Sequence, residues 1–302
     1  MKTRYGAVAL LLTLILALSL VLTAVCGVHR DTDEEGLSVV AAFYPMYTAT
    51  LRVVGDVEDV NVRGLTPQTS GCLHDHQLSP AERALLERAD VLVLNGSGAE
   101  PFLDPILPQL SAEVVSTTAE AESHHDHDGH DHGSDHCWLD PAVYAKQVAV
   151  ICEALCEVDP EGAAQYRENA AAYVSEIVAI GEELKSAARA LPLNKAVLFH
   201  GSMAFLAESM ELDVIGSLSL GEEAGIRPDE AAAIADAVRG EAVVFLYDAQ
   251  YPLQMTELAN GAKRSAVLVL GSAVSAVEGV PDEDVGVHTM RETIKKIREV
   301  TA

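Results

Sequence analysis

Residues 160–191 read PEGAAQYRENAAAYVSEIVAIGEELKSAARAL. Apolar Ala171, Val174, Ile177, Val178, Ile180 and Leu184 lie among Glu and Lys at helical spacing, with no internal proline and a single mid-stretch glycine, Gly181. The stretch is expected to be one helix of about 25–30 residues, stopped by Pro192. On its N-terminal side, LSVVAAF (37–43), VEDVNV (57–62), ADVLVLNGSG (89–98) and AEVVST (112–117) read as strands. Helices are expected to open at Ser79-Pro80 and to cover 101–110 and 141–158. On its C-terminal side, strands KAVLFH (195–200), LDVIGS (212–217), AVVFLY (242–247) and AVLVL (266–270) alternate with helices at 203–210, from Pro228, near 253–260 and at 287–301. Such alternation implies mostly parallel sheets. The chain is therefore expected to be α/β, with two α/β lobes (37–159 and 192–302) joined by the helix 160–191 and a ligand cleft between the lobes.

The bulk composition excludes some functions. The chain has 302 residues, 49% of them hydrophobic, and 46 acidic against 20 basic side chains give a formal charge of −26. That surface repels phosphate backbones, so no nucleic-acid partner is expected. Lys2 and Arg4 precede an apolar run from Tyr5 to Val25, followed by Cys26 and the polar HRDTDEEG. This order describes an export segment covering residues 1–26. Acylation of Cys26 as a bacterial lipoprotein is the preferred outcome, an uncleaved membrane anchor or free secretion the alternatives. The remainder is expected to be extracytoplasmic and, if tethered, bound to the cell envelope.

Residues 123–141 read SHHDHDGHDHGSDHCWLDP. His124, His125, His127, His130 and His132 alternate with aspartates and glycines, which fits a solvated loop over 123–136 that binds metal weakly as an auxiliary site. Three other histidines sit in the loops that follow strands, where open α/β sheets hold ligands. These are His74 in GLTPQTSGCLHDHQLSP, His136 at the end of the His-rich loop, and His200 closing KAVLFHG. Three imidazoles with one further position suit Zn²⁺. Asp75 and His76 are weaker candidates, since His76 points away from His74 if the segment is extended. Cys152 and Cys156, four apart in an expected helix, read as buried thiols on one face.

Four ordered motifs give the chain its resemblance to a family. GLTPQTSGCLHDHQLSP, ADVLVLNGSGAE (89–100), HCWLDP (136–141) and FHGSMAFL (199–206) resemble those of the metal-specific solute-binding proteins of bacterial ABC transporters, the cluster A-I group, and their zinc-uptake branch in particular. The resemblance covers nearly all of residues 37–300. It implies an extracytoplasmic protein, acting as a monomer, that captures Zn(II) as transported ligand between its lobes and delivers it to a membrane permease. His74, His136 and His200 are the metal ligands it implies, and it implies no catalysis. One departure stands out. Relatives place a ligand Asp at the end of a late strand, where VLVLGSAV (267–274) carries Gly271. The fourth ligand stays open among Glu100, Glu222, Glu223, Asp248, Cys72, Cys137 and water. For Cys72 and Cys137, a disulfide pinning the two ligand loops is preferred to metal ligation. Manganese relatives use more carboxylate, so His200 favours zinc.

Two other functions compete. A zinc-dependent hydrolase could use an open three-histidine site, but no HExxH and no nucleophile elbow occur in the sequence. A surface adhesin would bind metal only incidentally.

Overall fold

Alternate residues of the strands face two different cores. The computed structural model describes residues 36–66, 76–118, 134–218, 226–250, 257–259 and 261–301. The expectations for the export segment with Cys26, for Cys72, His74, Asp75 and His124–His132, and for Glu222 and Glu223 fall outside those residues.

The first sheet consists of β1 (Leu37–Ala41), β2 (Val60–Gly64), β3 (Val91–Leu94) and β4 (Glu113–Ser116), and the second of β5 (Lys195–Leu198), β6 (Asp213–Ser217), β7 (Ala242–Asp248) and β8 (Arg264–Leu270). Their orders are β2-β1-β3-β4 and β6-β5-β7-β8, and every pairing is parallel. The helices are α1 (Tyr44–Val54), α2 (Pro80–Leu86), α3 (Pro141–Val158), α4 (Ala163–Arg189), α5 (Ala204–Ser209), α6 (Pro228–Ala237) and α7 (Val285–Thr301).

Val39 and Ala41 of β1, Val91 and Val93 of β3, Ala196 and Leu198 of β5, and Val244 and Leu246 of β7 all join one large core. That core also takes in the buried faces of α1, α3, α4 and α7. The residues between them turn the other way. Val40, Leu92 and Leu94 pack with Leu86 and Leu103, while Val197, Phe199, Val243 and Phe245 pack with Ile234 and Leu258. Central strands covered on both faces have to be apolar throughout, which explains their unbroken runs. Residues 37–302 form one compact unit in which both sheets share a helical layer.

Helix α4 runs 27 residues, about 40 Å at 1.5 Å per residue. Its buried stripe is Tyr166, Ala170, Tyr173, Ile177, Ile180, Leu184 and Ala187. Ala171 and Val178 of the expected face turn outward, because the seam follows the spacing of tyrosines that a purely aliphatic count passed over. Gly181 is explained by packing: a Cβ there would lie 3.0 Å from Pro141 Cβ.

Other expectations need correction. Helix α1 was not foreseen, because its first turn holds Pro45 and Phe43 provides no side-chain cap. Residues 101–110 form two short 3₁₀ turns, Pro101–Leu103 and Leu107–Gln109, since prolines 101, 105 and 108 remove the amide donors a continuous helix needs. The strand expected at 57–62 begins only at Val60, after Asp59 takes φ 59°.

Candidate metal site

In each sheet the strand order reverses beside its first strand, between β1 and β3 and between β5 and β7. At such a switch point the loops leaving the carboxyl ends of the strands diverge and leave a crevice. His200 follows β5, and Asp248 ends β7. From the other half of the chain, the 3₁₀ turn Ser134–Leu139 carries His136. The rings of His136 and His200 lie 6.0 Å apart between centroids, at 76° to one another. Two imidazoles sharing one zinc at Zn–N of about 2.0–2.1 Å put their centroids roughly 5–6 Å apart. Residues 64 positions apart in sequence thus meet at the right separation.

Each histidine is held by its surroundings. His136 is buried and lies 5.0 Å, centroid to centroid, from the ring of Trp138. Trp138 packs edge-on against Phe43, and its Nε1 donates to the Ser272 carbonyl at 2.8 Å. Trp138 therefore ties the turn bearing His136 to the segment just after β8. His200 begins the 3₁₀ turn Gly201–Met203, and its Nδ1 accepts the Ser202 amide at 3.1 Å. Neutral imidazole has one lone pair. Coordinating a cation therefore requires that amide bond to be released, which couples metal capture to the geometry of this turn.

Asp248 organises the same edge. Its Oδ2 accepts from Ser202 Oγ at 3.1 Å and Gln250 Nε2 at 2.7 Å. Its Oδ1 accepts from Ser272 Oγ at 3.0 Å and the Gln250 amide at 3.1 Å. The carboxylate thus joins the loops after β5, β7 and β8. Glu100 behaves in a similar way in the first lobe, where its two oxygens accept the amides of Asn95 at 2.7 Å and Gly96 at 3.1 Å and close the turn after β3. Cys137 is a buried thiol whose sulfur donates to Asn95 Oδ1 at 3.6 Å and accepts from Gln147 Nε2 at 3.5 Å. It takes part in the polar cluster under β3, and Cys72, its expected disulfide partner, lies outside the described residues. His76 Nε2 lies 3.0 Å from Glu82 Oε1, and its ring packs edge-on against Phe102.

Among the described residues, no three His, Cys, Asp or Glu side chains form a group able to hold a metal ion; His136 and His200 are the pair brought together. Gln250 and Ser272 were not singled out from sequence, and Ser202 was considered only as a nucleophile and set aside. Only Trp138 carried a signal, through its place in HCWLDP.

Residues 39–300 match the profile of a family described as zinc-uptake complex component A, periplasmic (ZnuA). The chain belongs to this family. It is 25% identical over 317 residues to the zinc-binding lipoprotein AdcA of Streptococcus pneumoniae, a match covering 97% of this chain and 61% of that protein. It therefore spans about three fifths of AdcA's length. The high-affinity zinc uptake system protein ZnuA of Paracoccus denitrificans is 28% identical, with 75% of this chain and 80% of that protein covered. Among solved structures, the laminin-binding protein Lmb of Streptococcus agalactiae superposes with a TM-score of 0.71 at 21% identity, covering 88% of this chain and all of that one. That likeness gives the fold: two lobes, each with a parallel sheet.

Proposed function

We propose that this chain is the extracytoplasmic zinc-binding component of an ABC-type uptake system. It captures Zn²⁺ between its lobes and presents it to a membrane permease. The observation that carries this reading is the approach of His136 and His200 from opposite lobes to a ring separation of 6.0 Å. His74 supplies the third imidazole in this reading. Glu100 and Asp248 hold hydrogen-bonded loops together, and Cys137 is engaged under β3, so the fourth position falls to water, Cys72, Glu222 or Glu223. Nitrogen donors favour zinc over harder manganese. Bound metal competes with protons for the same lone pairs, so affinity falls as pH drops through the histidine range near about 6.5.

The lipoprotein relative supports tethering through an acylated Cys26. The loop histidines 124, 125, 127, 130 and 132 act as a weak auxiliary collector. Family membership supports a carrier over an enzyme.

The test is a competitive chelator titration of the full chain with Zn²⁺ and Mn²⁺, followed by fluorescence of Trp138, the sole tryptophan. One tight zinc equivalent is expected, weakened at least 100-fold by each of His74→Ala, His136→Ala and His200→Ala. Unchanged zinc affinity in His136→Ala or His200→Ala would overturn the proposal.

A further inference from the structure

Away from the cleft, helix α3 carries two cysteines one turn apart. Cys152 and Cys156 are 7% and 8% exposed, and the Cys152 thiol is hydrogen-bonded to Cys156. They lie in the floor of a groove of about 450 Å³ between α3 and α4. Ala149, Ala170 and Ala171 contribute only methyl groups to its lining, which leaves room above the two sulfurs. Arg167 and the exposed carboxylates Glu153 and Glu157 also line the groove.

The geometry disfavours a disulfide. Residues at i and i+4 of a helix hold their Cβ atoms about 5–6 Å apart, whereas a disulfide needs about 3.5–4.5 Å. A bridging ion relaxes that demand. With metal–sulfur distances of about 2.3 Å, two thiolates on one ion sit up to about 4.6 Å apart. Zinc would ask for four ligands, and among the described residues no third His, Cys, Asp or Glu completes such a group. A cation content with two sulfurs is a soft, monovalent one, and thiolate selects Cu(I).

We propose that Cys152 and Cys156 form a two-coordinate site for a soft cation of the Cu(I) class, separate from the zinc cleft. The step is Cu⁺ + 2 RSH → [RS–Cu–SR]⁻ + 2 H⁺; copper stays Cu(I) and both thiol protons leave to solvent. The product carries one negative charge, which the Arg167 guanidinium offsets and Glu153 and Glu157 oppose. Burial, with Cys156 alongside, pushes the Cys152 thiol up to about 11. The Cys152 thiol therefore stays protonated at neutral pH until a thiophilic ion displaces the proton, and copper affinity rises with pH.

The experiment uses the full chain saturated with zinc, so that the cleft is filled. Cu(I) is offered anaerobically as its bicinchoninate complex to the wild type and to Cys152→Ser, Cys156→Ser and the double variant. One Cu(I) equivalent is expected to leave the chelator for the wild type. Each single variant should lose it as completely as the double variant, with zinc stoichiometry unchanged in all. Where a serine variant fails to fold, Cys152→Ala/Cys156→Ala replaces it, with folding checked by circular dichroism. Equal copper uptake by the double variant would overturn the proposal, as would copper that leaves when zinc is added. Failure of the zinc reading shows instead in the zinc titration of the cleft-histidine variants.

Discussion

Asp248→Ala tests whether this carboxylate organises the cleft or binds the metal. The side chain is 1% exposed and accepts four hydrogen bonds, from Ser202 Oγ, Ser272 Oγ, and the amide and side chain of Gln250. Gln250 is half-buried, so water can replace the acceptor for its two donors. Ser202 and Ser272 are 2% and 3% exposed; Ser272 Oγ still accepts from Gln250 Nε2 at 3.2 Å, but both hydroxyls lose the acceptor of their own O–H, and each buried donor left without a partner costs about 1–3 kcal/mol. Deleting the charge recovers part of its own desolvation. The net loss is about 2–5 kcal/mol. At roughly 2 °C per kcal/mol for a chain of this size, the Tm of the metal-free protein should fall by roughly 4–10 °C. Loosening Ser202 also loosens the amide bond to His200 Nδ1 that metal capture has to break, so zinc affinity should change little, by no more than about tenfold. Thermal unfolding by circular dichroism in chelator, paired with a zinc titration, measures both. Unchanged metal-free stability with zinc affinity lost by orders of magnitude would refute the reasoning and make Asp248 a ligand.

Trp138→Phe keeps the ring against Phe43 but removes the Nε1 donor to the Ser272 carbonyl. Chemical denaturation should show a loss of about 1–2 kcal/mol, and an unchanged midpoint would discount this link between the lobes. Tyr144 and Tyr173 are buried and meet at 3.4 Å, and burial raises both phenols above 10.0. Because the folded values lie above the unfolded one, their contribution is complete below pH 10 and declines as pH rises past it, by up to about 1.4 kcal/mol per unit for each. Urea unfolding between pH 9 and 11 should show a shallower slope in Tyr173→Phe; an identical slope contradicts the assignment. Deleting residues 123–134 should lower total zinc stoichiometry yet leave one tight equivalent, read by chelator competition. Loss of the tight equivalent would place it in the loop.

Much of the fold was legible because burial on both faces writes itself into sequence. Strands such as VLVL (91–94) and AVVFLYD (242–248) are apolar runs, and α4 is too long and periodic to be anything but a helix. Legibility failed where local signals conflicted with packing. Helix α1 lacks a side-chain cap and has a proline at its second position, yet its buried side chains join the shared core. The outward turn of Val178 depended on which stripe of α4 met α3 and α7. At the site, the histidines could be named from motif order, but the duty of each carboxylate could not. Glu100 and Asp248 are ligand candidates in one dimension, and only their three-dimensional neighbours show them hydrogen-bonded to amides and hydroxyls.

By itself, the sequence determined most element types and the parallel alternation, and it named the candidate donors, because periodicity, proline placement and imidazole spacing are local properties of the chain. Tertiary structure alone decided that the rings of residues 136 and 200 meet, that Trp138 bridges to Ser272, and that Asp248 serves three loops. Those facts depend on how two sheets pack about a common helical layer. Long-range packing is a sum over many weak contacts, and no short stretch of residues encodes it.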